Sequence, residues 1–128
     1  MTDQTANPGG KGFRPTGAPP LYAQDGQGYE ATVHAHYFVA GSDWLITEYD
    51  PDDDIAFGWA CLNGDRQMAE LGYVSLAELE DLQVPVRVRI NGQEGGTFYQ
   101  GVERDTGWPE GLTLTEGMAL LDERSGRE

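Results

Sequence analysis

Several residue types are scarce in this chain, and each shortage removes a class of function. Cys61 is the single cysteine among 128 residues, so no intrachain disulfide can form and a cysteine-rich zinc site is excluded. Basic residues are few: eight Lys and Arg stand against 22 Asp and Glu, for a net charge of −14. Such a balance repels nucleic-acid phosphates, whose binding rests on Lys and Arg neutralising the backbone. No apolar run approaches the roughly 20 residues of a membrane-spanning helix. The opening MTDQTANPGG has neither a basic nor an apolar segment of the secretory kind, so a cytoplasmic location is expected. Mean hydropathy is −0.53, low for a chain packed along its whole length. Nothing in the sequence demands a cofactor: there is no G-x-x-x-x-G-K loop, no G-x-G-x-x-G fingerprint and no G-x-S-x-G turn.

Acidity is abundant and uneven. Residues 43–81 hold eleven acids and only Arg66, a net of −10, against −1 for residues 1–42 and −3 for residues 82–128. Residues 1–28 carry six of the 18 glycines and four of the seven prolines, with almost no aliphatic side chain before Leu21. That composition predicts a disordered leader over 1–28, with Leu21 and Tyr22 as anchors, a single domain over 29–124 and a disordered tail over 125–128.

In ATVHAHYFV (31–39), Val33, Ala35, Tyr37 and Val39 alternate with Thr32, His34, His36 and Phe38, the period of a strand. GSD (41–43) reads as a turn, WLITEY (44–49) as a second strand, DPDDD (50–54) as a tight connection and IAFGWACL (55–62) as a third strand. Ala56, Gly58 and Ala60 give that third strand a face of small residues, which predicts close approach of another backbone or a helix. MAELGYV (68–74) is a short fourth strand. Ser75 caps a helix over SLAELEDL, with Glu78 placed as in a capping box. VPVRVRI (84–90) and TFYQGV (97–102) form a hairpin about NGQEGG, and LTEGMALLDER (114–124) is a second helix. The fold class is therefore α+β: an antiparallel β-sheet, meander plus C-terminal hairpin, with one or two helices packed on it.

PPLYA (19–23), HYFV (36–39), WLITEYDP (44–51), FG (57–58), ELGYVSLAEL (70–79) and GVERDTGWPEGLTLTE (101–116) together make the chain resemble a small family of unknown function, number 2958 among such domains. The resemblance spans most of residues 19–116. It implies an accessory protein of a plasmid, phage or integrated element, and it supplies no catalytic residue.

Three features bear on chemistry. Asp50, Asp52 and Asp54 have the spacing that opens an EF-hand, yet its required Gly and bidentate Glu fall on Ile55 and Cys61, so no calcium loop forms. His34 and His36 lie two apart and share a strand face, which with Glu48 or Asp50 on the next strand is the pattern of a two-His-one-carboxylate metal site. Glu48 is in phase with Trp44 and Ile46, so an inward face would bury a carboxylate that needs a partner. The concentration of charge favours a non-enzymatic role. In that reading Glu48, Asp50, Asp52, Asp53, Asp54, Glu78, Glu80 and Asp81 form an acidic surface for a basic protein partner, imitating DNA or countering a defence system. The alternative is a metal-dependent protein using His34, His36, Glu48 and Asp50. The 84–100 hairpin, with its valine face and open edge, offers a route to a homodimer.

Overall fold

The computed structural model describes residues 12–126. Four strands follow one another as an antiparallel meander: β1 (Ala35–Val39), β2 (Ser42–Asp50), β3 (Ile55–Cys61) and β4 (Glu70–Ser75). Helix α1 (Leu76–Asp81) follows, then strands β5 (Gln83–Ile90) and β6 (Gln93–Gly101), the two-residue strand β7 (Glu103–Arg104) and helix α2 (Leu114–Arg124). β7 returns to pair with β1, so the main sheet has the order β4-β3-β2-β1-β7, while β5 and β6 form a sheet of their own. The architecture is the expected α+β class with two helices. The return of β7 was not legible, since Glu103 and Arg104 carry no strand periodicity. No helix among the described residues is long and apolar enough to cross a membrane.

Turn chemistry explains the hairpins. Ala40 and Gly41 join β1 to β2, and Asn91 and Gly92 join β5 to β6; all four have positive φ. Two left-handed residues in succession give a twist that matches paired strands, and Gly or Asn adopts that conformation cheaply. Both turns are tighter than the sequence pattern implies. Ser42 and Asp43 already belong to β2, and Gln93 to Gly96 already belong to β6.

The sheet is covered on both sides. Tyr37, Trp44, Ile46, Tyr49 and Ala56 meet Leu76 and Leu79 of α1 on one face. Val33, Leu45, Trp59 and Cys61 meet Trp108 and Leu114 on the other. Both helices start at sequence-encoded caps. Ser75 Oγ accepts the Glu78 N–H at 3.2 Å, while the full reciprocal box belongs to Thr113 and Glu116 at the head of α2. Gly117 sits inside α2 because a Cβ there would lie 2.9 Å from the Trp108 ring.

Two expectations are corrected by long-range contacts. Residues 12–28 of the expected leader lie on the sheet; residues 1–11 and 127–128 are outside the described residues. Pro15 is fully buried, the Phe13 ring packs 4.9 Å from Tyr37, and the Tyr49 N–H donates to Pro19 O at 2.8 Å. Arg104 donates to the carbonyls of Gly12 and Arg14. Polar contacts hold this segment together with the packing of Phe13, Pro15 and Ala18, and a composition argument that counts aliphatic residues registers neither.

The second correction concerns phase. The β2–β3 register shifts between Ile46 and Glu48: Ile46 pairs with Gly58, then Glu48 with Phe57 and Tyr49 with Ala56. One extra residue, Thr47, turns every later side chain of β2 to the opposite face. Glu48 therefore shares a face with Phe57, not with Trp44 and Ile46. Gly58 is required opposite the bulge, because a Cβ there would meet Leu45 O at 2.1 Å and Ile46 Cα at 2.8 Å. The small-residue face of β3 accommodates that backbone.

Candidate functional site

The acidic residues of the 50–54 turn fall into two environments. Asp50 Oδ1 accepts the Asp52 N–H at 3.0 Å, which folds the turn, and Asp52 and Asp53 stand exposed at its tip. Asp54 faces inward. Arg14 Nη2 reaches its Oδ2 at 2.7 Å, Arg14 Nε reaches Oδ1 at 3.2 Å, and the Tyr49 hydroxyl donates to Oδ1 at 2.6 Å. Arg14 also bonds Glu80 of α1. The Leu76 N–H donates to Asp54 O at 3.0 Å, so turn and helix are joined through backbone and side chain alike. Glu78, Glu80 and Asp81 are exposed on α1.

This arrangement has electrostatic consequences. The Arg14 bonds hold the Asp54 carboxyl below its ordinary value against a smaller burial effect, and Asp54 and Glu80 raise Arg14. Burial and the bond to Asp54 push the Tyr49 hydroxyl up to about 12. Arg14 was not singled out as a site residue. An isolated Arg amid Gly and Pro gives no sign of the carboxylates it will meet.

The histidines do not share a site. His36 is buried, with Nε2 2.7 Å from Asp43 Oδ1 and Nδ1 2.9 Å from Asp105 Oδ2. Arg124 donates to the same Asp105 oxygen at 2.8 Å, and the Trp108 and Phe38 rings flank the imidazole at 4.9 and 5.6 Å. Burial alone would raise Asp105, but the bonds from Arg124, His36 and the Gly107 N–H together hold it below its ordinary value. Both ring nitrogens face carboxylate oxygens, so neither offers a lone pair to a metal. His34 is exposed and opens onto a different depression, beside Arg104 and Glu110; burial lowers its pKa. Among the described residues no group of three or more His, Cys, Asp or Glu is placed to hold a metal ion. The expected set of His34, His36, Glu48 and Asp50 is thus dispersed over separate environments. Asp105 was missed because it meets His36 across 69 residues, and with it Arg124, which bonds the same carboxylate. Asp43 lies only seven residues from His36, on the next strand of the hairpin, and was overlooked because residues 41–43 read as a turn. Cys61 is buried in the core.

Glu48 occupies a third environment. It is 5% exposed, and its two oxygens accept the N–H groups of Tyr22 at 2.7 Å and Gln24 at 2.8 Å. The Gln24 side chain in turn donates to the carbonyls of Thr32 and Thr47 and accepts the Thr32 N–H, so it continues the sheet's hydrogen bonding across a gap. Glu48 lies in the wall of a cavity of about 400 Å³ that also includes Tyr22, Phe57, Leu71 and Tyr73. The bulge at Thr47 is what delivers the carboxylate to this face.

A sheet covered by helices on both faces, with an acidic turn pinned to its first helix, defines a small antiparallel α+β domain. The model of the family described as protein of unknown function (DUF2958) matches residues 23–116, and the chain belongs to that family. No curated protein and no solved structure matches the chain.

Proposed function

We propose that this protein is a non-enzymatic accessory factor that docks a basic protein through the face formed by the 50–54 turn and α1. The observation that carries this reading is the union of the two elements. Arg14 spans Asp54 and Glu80 and draws two acidic stretches into one surface, leaving Asp52, Asp53, Glu78 and Asp81 exposed and without an intramolecular bond from any of the described basic residues. A surface of one sign steers an oppositely charged partner and sets register more than it adds raw affinity. In the mobile-element setting implied by the family resemblance, the fitting partner is a host or competing nucleic-acid-binding protein, whose phosphate groove the carboxylates imitate. Glu48 is not part of this surface, because it is buried behind Tyr22.

Capture of a basic protein from host extract tests the reading. Binding should fall steeply as salt rises from about 50 to about 500 mM, since the Debye length shrinks from more than 10 Å to under 5 Å. The combined variant D52N/D53N/E78Q/D81N should lose the partner at low salt. Capture that ignores both salt and the variant sinks the proposal.

A second reading concerns self-association. β5 and β6 form a free-standing hairpin with Ile90, Phe98 and Tyr99 exposed, which is apolar surface on an open edge. Pairing of this hairpin with a second copy predicts a dimer in sedimentation equilibrium that I90K/F98K converts to a monomer. A wild-type chain monomeric at about 100 μM removes this reading.

A further inference from the structure

We infer that the cavity walled by Tyr22, Phe57 and Tyr73 is a binding site for an organic cation, an alkylammonium or guanidinium head group. The inference does not rest on the acidic docking face, which uses other residues.

The first argument is charge. Glu48 is nine-tenths buried, and the two groups that bond it are backbone amides, which satisfy its geometry without cancelling its charge. Among the described residues no Lys, Arg or His is ion-paired with it, although a buried carboxylate ordinarily has a counter-charge. Each carboxylate oxygen accepts one of these bonds and retains capacity for another. Asp25 lines the same cavity. Its effect and that of Glu48 are felt at the Tyr73 hydroxyl, which is raised first by its bond to Tyr22 and by burial, then by Tyr22, Glu48 and Asp25.

The second argument is the walls. Glu48, Phe57 and Tyr73 form one cross-strand row over β2, β3 and β4, as the registers Glu48 to Phe57 and Phe57 to Tyr73 require. The Phe57 and Tyr73 rings meet edge to face at 5.3 Å. Tyr22, from the segment before β1, also lines the cavity, its hydroxyl 3.0 Å from that of Tyr73. Tyr22 and Tyr73 remain 64% and 59% exposed, so two large rings are held at a rim instead of being packed away. Aromatic faces attract cations through their quadrupoles, and several rings around a carboxylate are the recurring way to hold a cation with an apolar shell.

The third argument is preorganisation. Tyr22 has φ 74°, a left-handed conformation that is strained for a non-glycine residue. The grip of Glu48 on its N–H and the clamp of Gln24 on Thr32 and Thr47 keep it there. A wall held in place before the ligand arrives reduces the entropy lost on binding. The cavity of about 400 Å³ suits a head group or one long side chain.

The test is an NMR titration of the full chain with choline, with N-acetyl-arginine methylamide, and with 3,3-dimethylbutan-1-ol, the neutral isostere of choline. At least one of the cations should shift the amide signals of Tyr22, Gln24, Phe57 and Tyr73 saturably, with the neutral alcohol roughly tenfold weaker or more. A response to the arginine derivative alone identifies a partner's side chain as the ligand; a response to choline identifies a small quaternary or methylated ammonium. Y73L removes an exposed ring and should weaken binding roughly tenfold while the melting temperature holds; E48Q should do the same wherever its melting curve shows a folded protein. Equal binding of the neutral alcohol overturns the inference, as does the lack of any saturable shift from either cation. The combined variant D52N/D53N/E78Q/D81N should leave these titrations unchanged, so failure here and failure of the docking proposal are separable.

Discussion

Glu48 stands directly across from Phe57 on the neighbouring strand only because Thr47 is bulged out of the pairing between them. Without that extra residue, the alternation of β2 would carry Glu48 to the face of Trp44 and Ile46, against α1 and an apolar core. The bulge places it instead where two backbone amides of residues 22–24 can reach it.

This bond pair predicts that Glu48 anchors the chain before β1. Replacing it by alanine leaves the part-buried Tyr22 and Gln24 N–H groups without their acceptor, a cost of about 1–2 kcal/mol. Urea unfolding of E48A should show that loss, and limited proteolysis should cut first within residues 20–28. An unchanged midpoint together with an unchanged cleavage pattern would refute the anchoring role.

Gly58 and Gly72 face each other on β3 and β4 and provide a matched pair. A methyl at Gly58 would lie 2.1 Å from Leu45 O, whereas nothing lies within 4 Å of one at Gly72. G58A is expected to destabilise by about 3 kcal/mol or more, or to prevent folding, because the obstacle is backbone. G72A should be neutral or stabilising by some tenths of a kcal/mol, since it restricts the unfolded chain without a clash. Similar melting temperatures for the two variants would contradict the bulge geometry.

The pH dependence follows from Asp54 and Asp105, both held below their ordinary value of 3.8 in the folded state. A carboxylate with a depressed folded pKa contributes stability that is complete above 3.8 and is lost as pH falls through the folded value. Acid also relaxes repulsion among the other carboxylates, so comparison with a variant isolates the Asp54 contribution. R14M should be less stable than the wild type at pH 7, and the difference should shrink as pH falls below 3.8. Denaturant midpoints measured across that range check it; a difference independent of pH assigns the Arg14 effect to packing.

At His36, removal of the ring leaves Asp43 and Asp105 without the group that joins them. H36A is expected to lose about 3–5 kcal/mol, the range for removing one partner from a buried polar pair. Zinc, manganese and calcium added to the wild type should leave its melting temperature unchanged, because both His36 nitrogens are engaged and His34 lies in another environment. A rise in melting temperature at stoichiometric metal would restore the metal-site alternative.

What could be read in advance was whatever depends on neighbours in sequence. Alternation and the turn residues between strands located β1 to β6, Ser75 announced α1, and the run from Asp50 to Asp54 announced an acidic turn. The reading of Glu48 failed at a bulge whose cause, the close approach of Gly58 to the Leu45 carbonyl, lies on another strand. The expected leader and the shared histidine face failed in the same manner. Arg14 meets Asp54 across 40 residues, and His36 meets Asp105 across 69.

By itself, then, the sequence determined the α+β class, the spacing of turns and caps, and the concentration of acid in residues 43–81, because these follow from local propensity and composition. Tertiary structure alone decided which carboxylates are pinned, which are exposed, and which one lies behind a tyrosine wall. Such outcomes depend on strand order and register, and a single bulged residue is enough to reverse the face on which every later side chain of a strand appears.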